Sequence, residues 1–384
     1  MSQENELLAG LRAEIDTVDD RIKQMFEKRM SLVLGVAGHK AANSLPVLNA
    51  ARERDILDRV TSGQSDEAAG YTRMLFSTLF DLSRVYQSRD LRHSSALVHG
   101  VRQAMAETEP LFPKSAVVAC QGIEGSNSQQ ACERLFARPN IMYMNSFDAV
   151  FNAVGAGLCR YGILPFENSL RGSVGEVYDL MRENNFHIVK SVKVKIDHAL
   201  LAKPGVALGD IREIVSHEQA LGQCSAFLKK LPGVKVTPCD NTATAAKMVS
   251  ESERTDIAAL ASVDCGALYN LVALNEDVQN NDNNYTRFIC ISKRMEIYPG
   301  ANRISIMFTV PHRPGSLYAV ISTFSALGVN LNKIESRPIP GKDFEFMFYA
   351  DFEAELYDEA ACNLLAQLEL SAEKFVFLGN YSDR

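Results

Sequence analysis

Over residues 6 to 105 apolar side chains return every three or four positions, and this spacing constrains the fold more than any other feature of the chain. Leu8, Leu11, Ile15, Val18, Ile22, Met25, Phe26 and Val33 fall on one stripe of a helix turning about 100° per residue. Arg29 and Lys40 lie inside the same stripe. A buried charge is costly unless paired, so these cations meet an anionic ligand, pair with an internal carboxylate such as Glu53, or emerge at a helix end. The first helix extends about 50 Å at about 1.5 Å per residue, too long to bury its stripe within a three-helix monomer. An intertwined dimer is the economical solution. Pro46 breaks the pattern, a second helix is predicted near 49 to 62, and a Thr61-Ser62-Gly63 turn follows. A third helix near 66 to 104 has Tyr71, Leu75, Leu79, Leu82 and Tyr86 in register, and the run Ala106 to Pro113 reads as a linker.

From 114 to 295 the period changes. Short apolar strands (Ala116 to Cys120, Ile141 to Met144, Tyr161 to Leu164, Ile214 to Ser216, Val234 to Thr237, Ile257 to Leu260, Phe288 to Ile291) alternate with helical stretches, which predicts an α/β domain with ligand groups at strand ends. Lys193 to Lys203 marks a passage between two lobes, and a cleft there suits a small dianion. Beyond Tyr298-Pro299-Gly300, Ile304, Ile306, Phe308 and Val310 alternate as a half-buried strand. The order β-α-β-β-α-β over 302 to 384 is ferredoxin-like. Three domains are therefore expected, at 1 to 105, 114 to 295 and 302 to 384, as the length of 384 residues allows.

Composition narrows the partners. A formal net charge of -7 argues against a nucleic-acid surface, and no stretch approaches the roughly 18 apolar residues of a membrane span. No basic, apolar leader opens the sequence, so a cytoplasmic location is expected. The eight cysteines are scattered without a C-x-x-C pair and the seven histidines lack i, i+4 spacing, which disfavours structural zinc and a disulfide framework.

Three motifs carry chemistry through their order. Pro165-Phe166-Glu167-Asn168-Ser169 precedes Asn284-Tyr285-Thr286-Arg287-Phe288, and Glu335-Ser336-Arg337-Pro338 comes about fifty residues later. Together they resemble the signature of prephenate dehydratases, while residues 7 to 90 resemble the all-helical chorismate mutases. The whole chain is similar to bifunctional chorismate mutase/prephenate dehydratases with a C-terminal ACT domain. The resemblance implies an all-α mutase domain in an intertwined dimer, a two-lobed periplasmic-binding-protein-like α/β dehydratase domain and a ferredoxin-like ACT domain. It also implies chorismate and prephenate as substrates, L-phenylalanine as effector, no cofactor or metal, and a homodimer or homotetramer.

The same resemblance implies site residues. In the mutase, Arg12 reaches into the partner's site, Arg29, Lys40 and Gln87 hold the carboxylates and ether oxygen, Glu53 of the Arg52-Glu53 pair takes the ring hydroxyl, and Ser83 stands one turn from Gln87. A Claisen rearrangement needs only a grip on the compact conformer and stabilisation of charge on the breaking ether. Ser83 and Gln87 also suit plain solvated surface. In the dehydratase, Thr286 supplies a hydroxyl to the departing ring hydroxyl, and Arg287 either neutralises a carboxylate or makes a structural ion pair. Asn168 and Ser169 bind substrate carboxylate or cap a helix. Ser126, in the Gly-rich turn Gln121 to Ser128, His217, with Gln219, Gln223 and Cys224 on the next helix, and Thr242 complete the substrate set, each open to a structural role as well. Gly315, Leu317, Asn330, Glu335 and Ser336 match the phenylalanine contacts of the tail. Asn49, Asn127 and Ser316 depart from the families' usual Asp, aromatic and Ala.

Two rivals remain open at this point. A mutase fused to a prephenate dehydrogenase needs a strand-linked G-x-G-x-x-G, which the sequence lacks. A non-catalytic sensor of anions and aromatic amino acids, fused to a chorismate mutase, has no need of Thr286 beside Arg287.

Overall fold

The computed structural model describes residues 3–43, 49–87, 95–312, 315–339, 341, 345–356 and 359–383. The first segment forms α1 (Gln3–Ala42), α2 (Ala50–Thr61), α3 (Asp66–Gln87) and α4 (Ala96–Glu107). The Asn49 side chain accepts the Arg52 N–H at 3.0 Å and starts α2. The expected helix over 66 to 104 is two helices, since α3 ends at Gln87 and the Ser95 hydroxyl accepts the Val98 N–H at 3.1 Å to start α4. Pro46 and residues 88–94 lie outside the described residues. Among the described residues the stripe of α1 is covered only toward its C-terminal half, where Met30 is buried. Leu11, Ile15, Val18, Ile22 and Met25 keep between 51% and 60% of their surface exposed, so the burial their spacing predicts does not come from the described residues of this chain.

In chain order the middle segment runs β1 (Val117–Gln121), α5 (Asn127–Leu135), β2 (Asn140–Met144), α6 (Phe147–Gly155), β3 (Tyr161–Asn168), β4 (Gly172–Ser173), α7 (Gly175–Glu183), β5 (His187–Lys195), β6 (Ala199–Ala202), β7 (Glu213–His217), α8 (Glu218–Gln223), α9 (Ser225–Leu228), β8 (Lys235–Cys239), α10 (Thr242–Glu251), β9 (Ile257–Ala261), α11 (Val263–Leu268), β10 (Val272–Asn275) and β11 (Tyr285–Ser292). The strands form two sheets, β2-β1-β3-β11-β5 with β4 on β3, and β10-β6-β9-β7-β8, hence two lobes. The chain crosses between them twice, at 196–198 and 276–284. The crossings are stitched together by Ile196 N–H to Asn284 O (2.8 Å) and Val278 N–H to His198 O (3.1 Å). Each expected strand is present. β4, β5, β6 and β10 have no counterpart among the expected strands, because β4 has two residues, lysines interrupt β5 and the other two have only four residues each.

The run 106–113 is not a free linker. Ala106 and Glu107 close α4, and the Phe112 ring packs on Phe136, Tyr161 and Tyr298 at 4.9, 5.7 and 5.0 Å. The first lobe likewise runs past 295, since buried Glu296 accepts the Tyr161 hydroxyl at 2.7 Å.

The tail comprises β12 (Arg303–Thr309), α12 (Ser316–Ala326), β13 (Leu331–Pro338), β14 (Phe346–Glu353), α13 (Glu359–Ser371) and β15 (Lys374–Tyr381), its strands ordered β13-β14-β12-β15. β12 is buried on both faces rather than half-buried, because Ser305 hydrogen-bonds the Tyr381 hydroxyl at 2.7 Å and Met307 is enclosed. Packing divides the chain into Met1–Arg102 with Phe308–Val376, and Gln103–Met307 with Phe377–Arg384. In the second unit the end of the chain lies along β5, where Ser191 pairs with Asp383. A Cβ at Gly379 (φ +151°) would meet the Ile188 carbonyl oxygen at 2.1 Å, so only glycine fits there.

Candidate active sites

The first cluster lies where α1 meets α3. Arg29 donates to the Leu79 carbonyl at 3.1 Å and to the Ser83 hydroxyl, and its guanidinium stands 5.9 Å over the Phe80 ring. Burial pulls its pKa below the usual arginine value. Glu53, the carboxylate that could have neutralised it, is paired instead with Arg84, which also holds Asp81. Among the described residues Arg29 meets no carboxylate. One turn from Ser83, the Gln87 side-chain oxygen is buried without a hydrogen-bond partner among the described residues. Lys40 is half-buried in the last turn of α1, whereas Arg12 and Arg52 are exposed. A cation without a counterion beside an unsatisfied amide and a buried hydroxyl fits an oxygen-rich anion.

The second cluster lies at the junction of the two lobes. β11 pairs antiparallel with β3, placing Thr286 opposite Asn168 and Arg287 opposite Glu167. Asn168 Nδ2 donates to Thr286 Oγ1 at 3.0 Å and to Asn284 Oδ1 at 2.8 Å, while its Oδ1 accepts the Leu170 and Arg171 N–H groups at 3.0 Å each. Ser169 clamps the same strand: its hydroxyl donates to Asn283 O and accepts the Tyr285 N–H, both at 3.0 Å. Asn284 and Thr286 are buried, and among the described residues no acceptor takes the Thr286 proton. Asn168, Ser169 and Thr286 therefore form one site.

Arg287 belongs to the other face, because successive strand residues point to opposite sides. There it pairs with Glu167 at 3.2 Å, stands 5.2 Å over the Phe166 ring and donates to the Tyr381 hydroxyl at 3.4 Å. Of its two expected settings, the structural ion pair is the one the chain adopts.

The remaining expected residues sit at strand ends without hydrogen bonds to that cluster among the described residues. Ser126 starts α5, accepting Gln129 N–H at 3.4 Å, and His217 Nδ1 starts α8, accepting Gln219 N–H at 3.3 Å. Thr242 opens α10, but the cap is the Asn241 side chain on Thr244 N–H at 2.8 Å, not a threonine hydroxyl. β7 and β8 are parallel with His217 beside Cys239, so His217 and Thr242 share one sheet edge. The glycine turn after β1 contacts the other lobe: a Cβ at Gly125 (φ +87°) would meet Leu268 at 3.0 Å, and the Tyr269 hydroxyl donates to Glu124 O at 2.6 Å.

In the tail, Gly315 (φ +85°) starts α12 with no side-chain cap, and Leu317 follows on its first turn. Asn330 precedes β13, on which Glu335, in an ion pair with Lys333 at 3.3 Å, and exposed Ser336 lie opposite Tyr349 and Phe348 of β14. The residues that sequence reasoning passed over are Asn284 and His198, and Gln223 as a member of the Thr286 network. Asn284 lies two residues before Thr286 in the Asn284-Tyr285-Thr286-Arg287-Phe288 motif, where the hydroxyl and the guanidinium carry the recognisable chemistry. His198 lay in the expected passage between lobes, where its neighbours offered no pattern.

Comparison with known proteins follows the same division. A family model described as Chorismate mutase type II matches residues 11–88, and one described as Prephenate dehydratase matches residues 118–296. Arogenate dehydratase/prephenate dehydratase 2, chloroplastic, of Arabidopsis thaliana is 40% identical over 276 residues, covering 69% of this chain and 72% of that protein. The bifunctional chorismate mutase/prephenate dehydratase of Escherichia coli K12 is 29% identical over 391 residues, covering 99% and 97%. Among solved structures, prephenate dehydratase of Arthrobacter aurescens in complex with L-Phe aligns with a TM-score of 0.64 and 28% identity over 69% of this chain and 89% of that one. A chain described as GqqA, a novel type of quorum quenching acylase, aligns with a TM-score of 0.64 and 29% identity over 70% and 98%. One fold thus carries differently described activities, and the chemistry has to be argued from the site.

Proposed function

Because the chain belongs to the prephenate dehydratase family and carries a type II chorismate mutase region before it, we propose that it converts chorismate to prephenate and prephenate to phenylpyruvate, toward L-phenylalanine. Arg29, Lys40, Arg52, Glu53, Ser83 and Gln87 grip chorismate, and Arg12 of a second copy completes the site. The exposed stripe of α1 supports that second copy, since a helix with an uncovered apolar face needs a partner surface. Holding the compact conformer and countering charge on the ether oxygen suffices for the rearrangement.

In the dehydratase step the ring carboxylate leaves as CO2, its bonding pair enters the ring, and the ring hydroxyl departs as water with a proton from a donor. The observation that carries this reading is the Thr286 hydroxyl, which accepts from Asn168 and so has its own proton free to give. Ser126, Asn168, Ser169, His217 and Thr242 line the approach.

The β-α-β-β-α-β order and the strand order β13-β14-β12-β15 support a ferredoxin-like ACT domain over 302 to 384, after a mutase over 1 to 105 and a dehydratase over 114 to 295 to which Phe112 and Glu296 add their packing. L-Phenylalanine then binds through Gly315, Leu317, Asn330, Glu335 and Ser336 and lowers dehydratase turnover. Among the described residues no helix is long and apolar enough to cross a membrane, which agrees with a cytoplasmic enzyme.

The 40% identity to a protein named for both arogenate and prephenate supports a second substrate, since arogenate presents the same ring to Thr286. Supplying each compound separately and identifying the products tests both readings. Phenylpyruvate from prephenate is expected, and turnover of neither compound by folded protein contradicts the assignment.

A further inference from the structure

We infer that His198 is a positioning residue for the dehydration, acting through Gln223, Asn284 and Asn168 to hold the Thr286 hydroxyl in its donating orientation. The inference rests on the reading of Thr286 as proton donor.

Between the lobes His198, Asn284 and Thr286 are buried and Asn168 and Gln223 half-buried, and each amide and imidazole proton that links them has an assignable acceptor. Asn168 Oδ1 accepts two backbone N–H groups, Leu170 and Arg171, each at 3.0 Å. Backbone N–H can only donate, so the orientation of the Asn168 amide is fixed. Its two Nδ2 protons go to the two nearer acceptors, Asn284 Oδ1 at 2.8 Å and Thr286 Oγ1 at 3.0 Å, with Tyr285 O more distant at 3.3 Å. Asn284, with Oδ1 accepting, turns Nδ2 to Gln223 Oε1 at 3.2 Å. That oxygen also lies 3.0 Å from His198 Nε2, so the imidazole is the donor. His198 is therefore the Nε2–H tautomer. It is 3% exposed, burial disfavours its charged form, and its Nδ1 has no hydrogen-bond partner among the described residues.

The chain of amides is thus anchored at one end by two backbone N–H groups and at the other by one imidazole N–H. Without the imidazole the Gln223 amide can turn its NH2 toward Asn284. Asn284 then turns its own NH2 toward Asn168, and donor faces donor; the Asn168 amide, which its backbone N–H groups keep from flipping, is pushed out of line with Thr286 Oγ1. The anchor also spans the lobes, since Gln223 ends α8 in the second lobe, His198 and Asn284 lie on the two crossings, and Asn168 and Thr286 belong to the first lobe. The backbone of His198 bonds Gln279 Oε1 (3.0 Å) and Val278 N–H (3.1 Å), contacts any residue could make. Those bonds do not explain an imidazole.

The test uses the full chain with prephenate as substrate and chorismate turnover as the internal measure of folding. His198→Leu removes the donor, and prephenate kcat should fall on the order of 10- to 100-fold with KM within about twofold, the scale of losing an outer supporting hydrogen bond. His198→Gln places an amide N–H near the position of Nε2 and should recover most of the loss. In a Thr286→Ala background His198→Leu should change residual turnover by less than about twofold, because both substitutions act through one hydroxyl. A wild-type kcat in His198→Leu, a loss that His198→Gln does not recover, or full additivity with Thr286→Ala overturns the inference. If His198→Leu also loses chorismate turnover, His198→Asn, too short to reach Gln223, takes its place with the same outcomes. Undiminished prephenate turnover in Thr286→Ala alone refutes the donor assignment itself, a result distinct from the others.

Discussion

Replacing Ile15 and Ile22 together with glutamate should dissolve the proposed dimer and silence the mutase while sparing the dehydratase. The two side chains keep 57% and 59% of their surface exposed. Full burial of such a residue stabilises by about 1.5 to 3 kcal/mol, so covering the remaining half contributes about 1 to 1.5 kcal/mol each. Two residues on each of two copies then amount to about 4 to 6 kcal/mol, or about a thousandfold or more in dissociation constant. Desolvating the new carboxylates adds to that loss. Sedimentation across a dilution series, run beside chorismate and prephenate turnover, reads all three consequences. A double variant of unchanged mass that still rearranges chorismate would refute the argument that a second copy covers α1 and that Arg12 acts in trans.

Arg29→Ala should abolish chorismate rearrangement and leave prephenate conversion near normal in parallel steady-state assays, because its contacts lie on α3, far in sequence from β3 and β11; normal mutase turnover in the folded variant contradicts the site. Ser336→Trp, at an exposed position of β13, should leave a dehydratase that phenylalanine no longer inhibits, against typical couplings of about 5- to 150-fold, and an unshifted inhibition curve places the effector elsewhere. Glu213 is held down to about 2 by Thr237, Arg254 and Lys235. A depressed carboxylate contributes fully above its ordinary value of about 4.5 and loses that contribution as pH falls toward 2. Glu213→Gln should thus lower the unfolding temperature at neutral pH and flatten its acid dependence in calorimetry; parallel curves contradict this.

Much of the architecture could be read from local patterns, and the failures have physical causes. The strands of the two lobes announce themselves as apolar runs, and the pairing of β3 with β11 explains why two distant motifs act together. β5 escaped because Lys190, Lys193 and Lys195 interrupt its apolar pattern, and β12 looked half-buried because Ser305 finds its partner, Tyr381, only in the folded chain. Arg29 was legible as a cation on an apolar stripe, but its freedom from Glu53 depended on where Arg84 would reach. Arg287 was ambiguous in sequence, since strand alternation separates it from Thr286 only once the face of each is known. The amide relay was invisible, because Asn168, His198, Gln223 and Asn284 are brought together by the crossings between lobes.

The central claim is that two separate sites act in series and that Thr286 serves the second. Chorismate given to wild type, Thr286→Ser and Thr286→Ala, with prephenate and phenylpyruvate separated and quantified over time, tests it most directly. Phenylpyruvate is expected from wild type, slower formation from the serine variant, and near-stoichiometric accumulation of prephenate by the alanine variant. Phenylpyruvate formed by Thr286→Ala at the wild-type rate would contradict it.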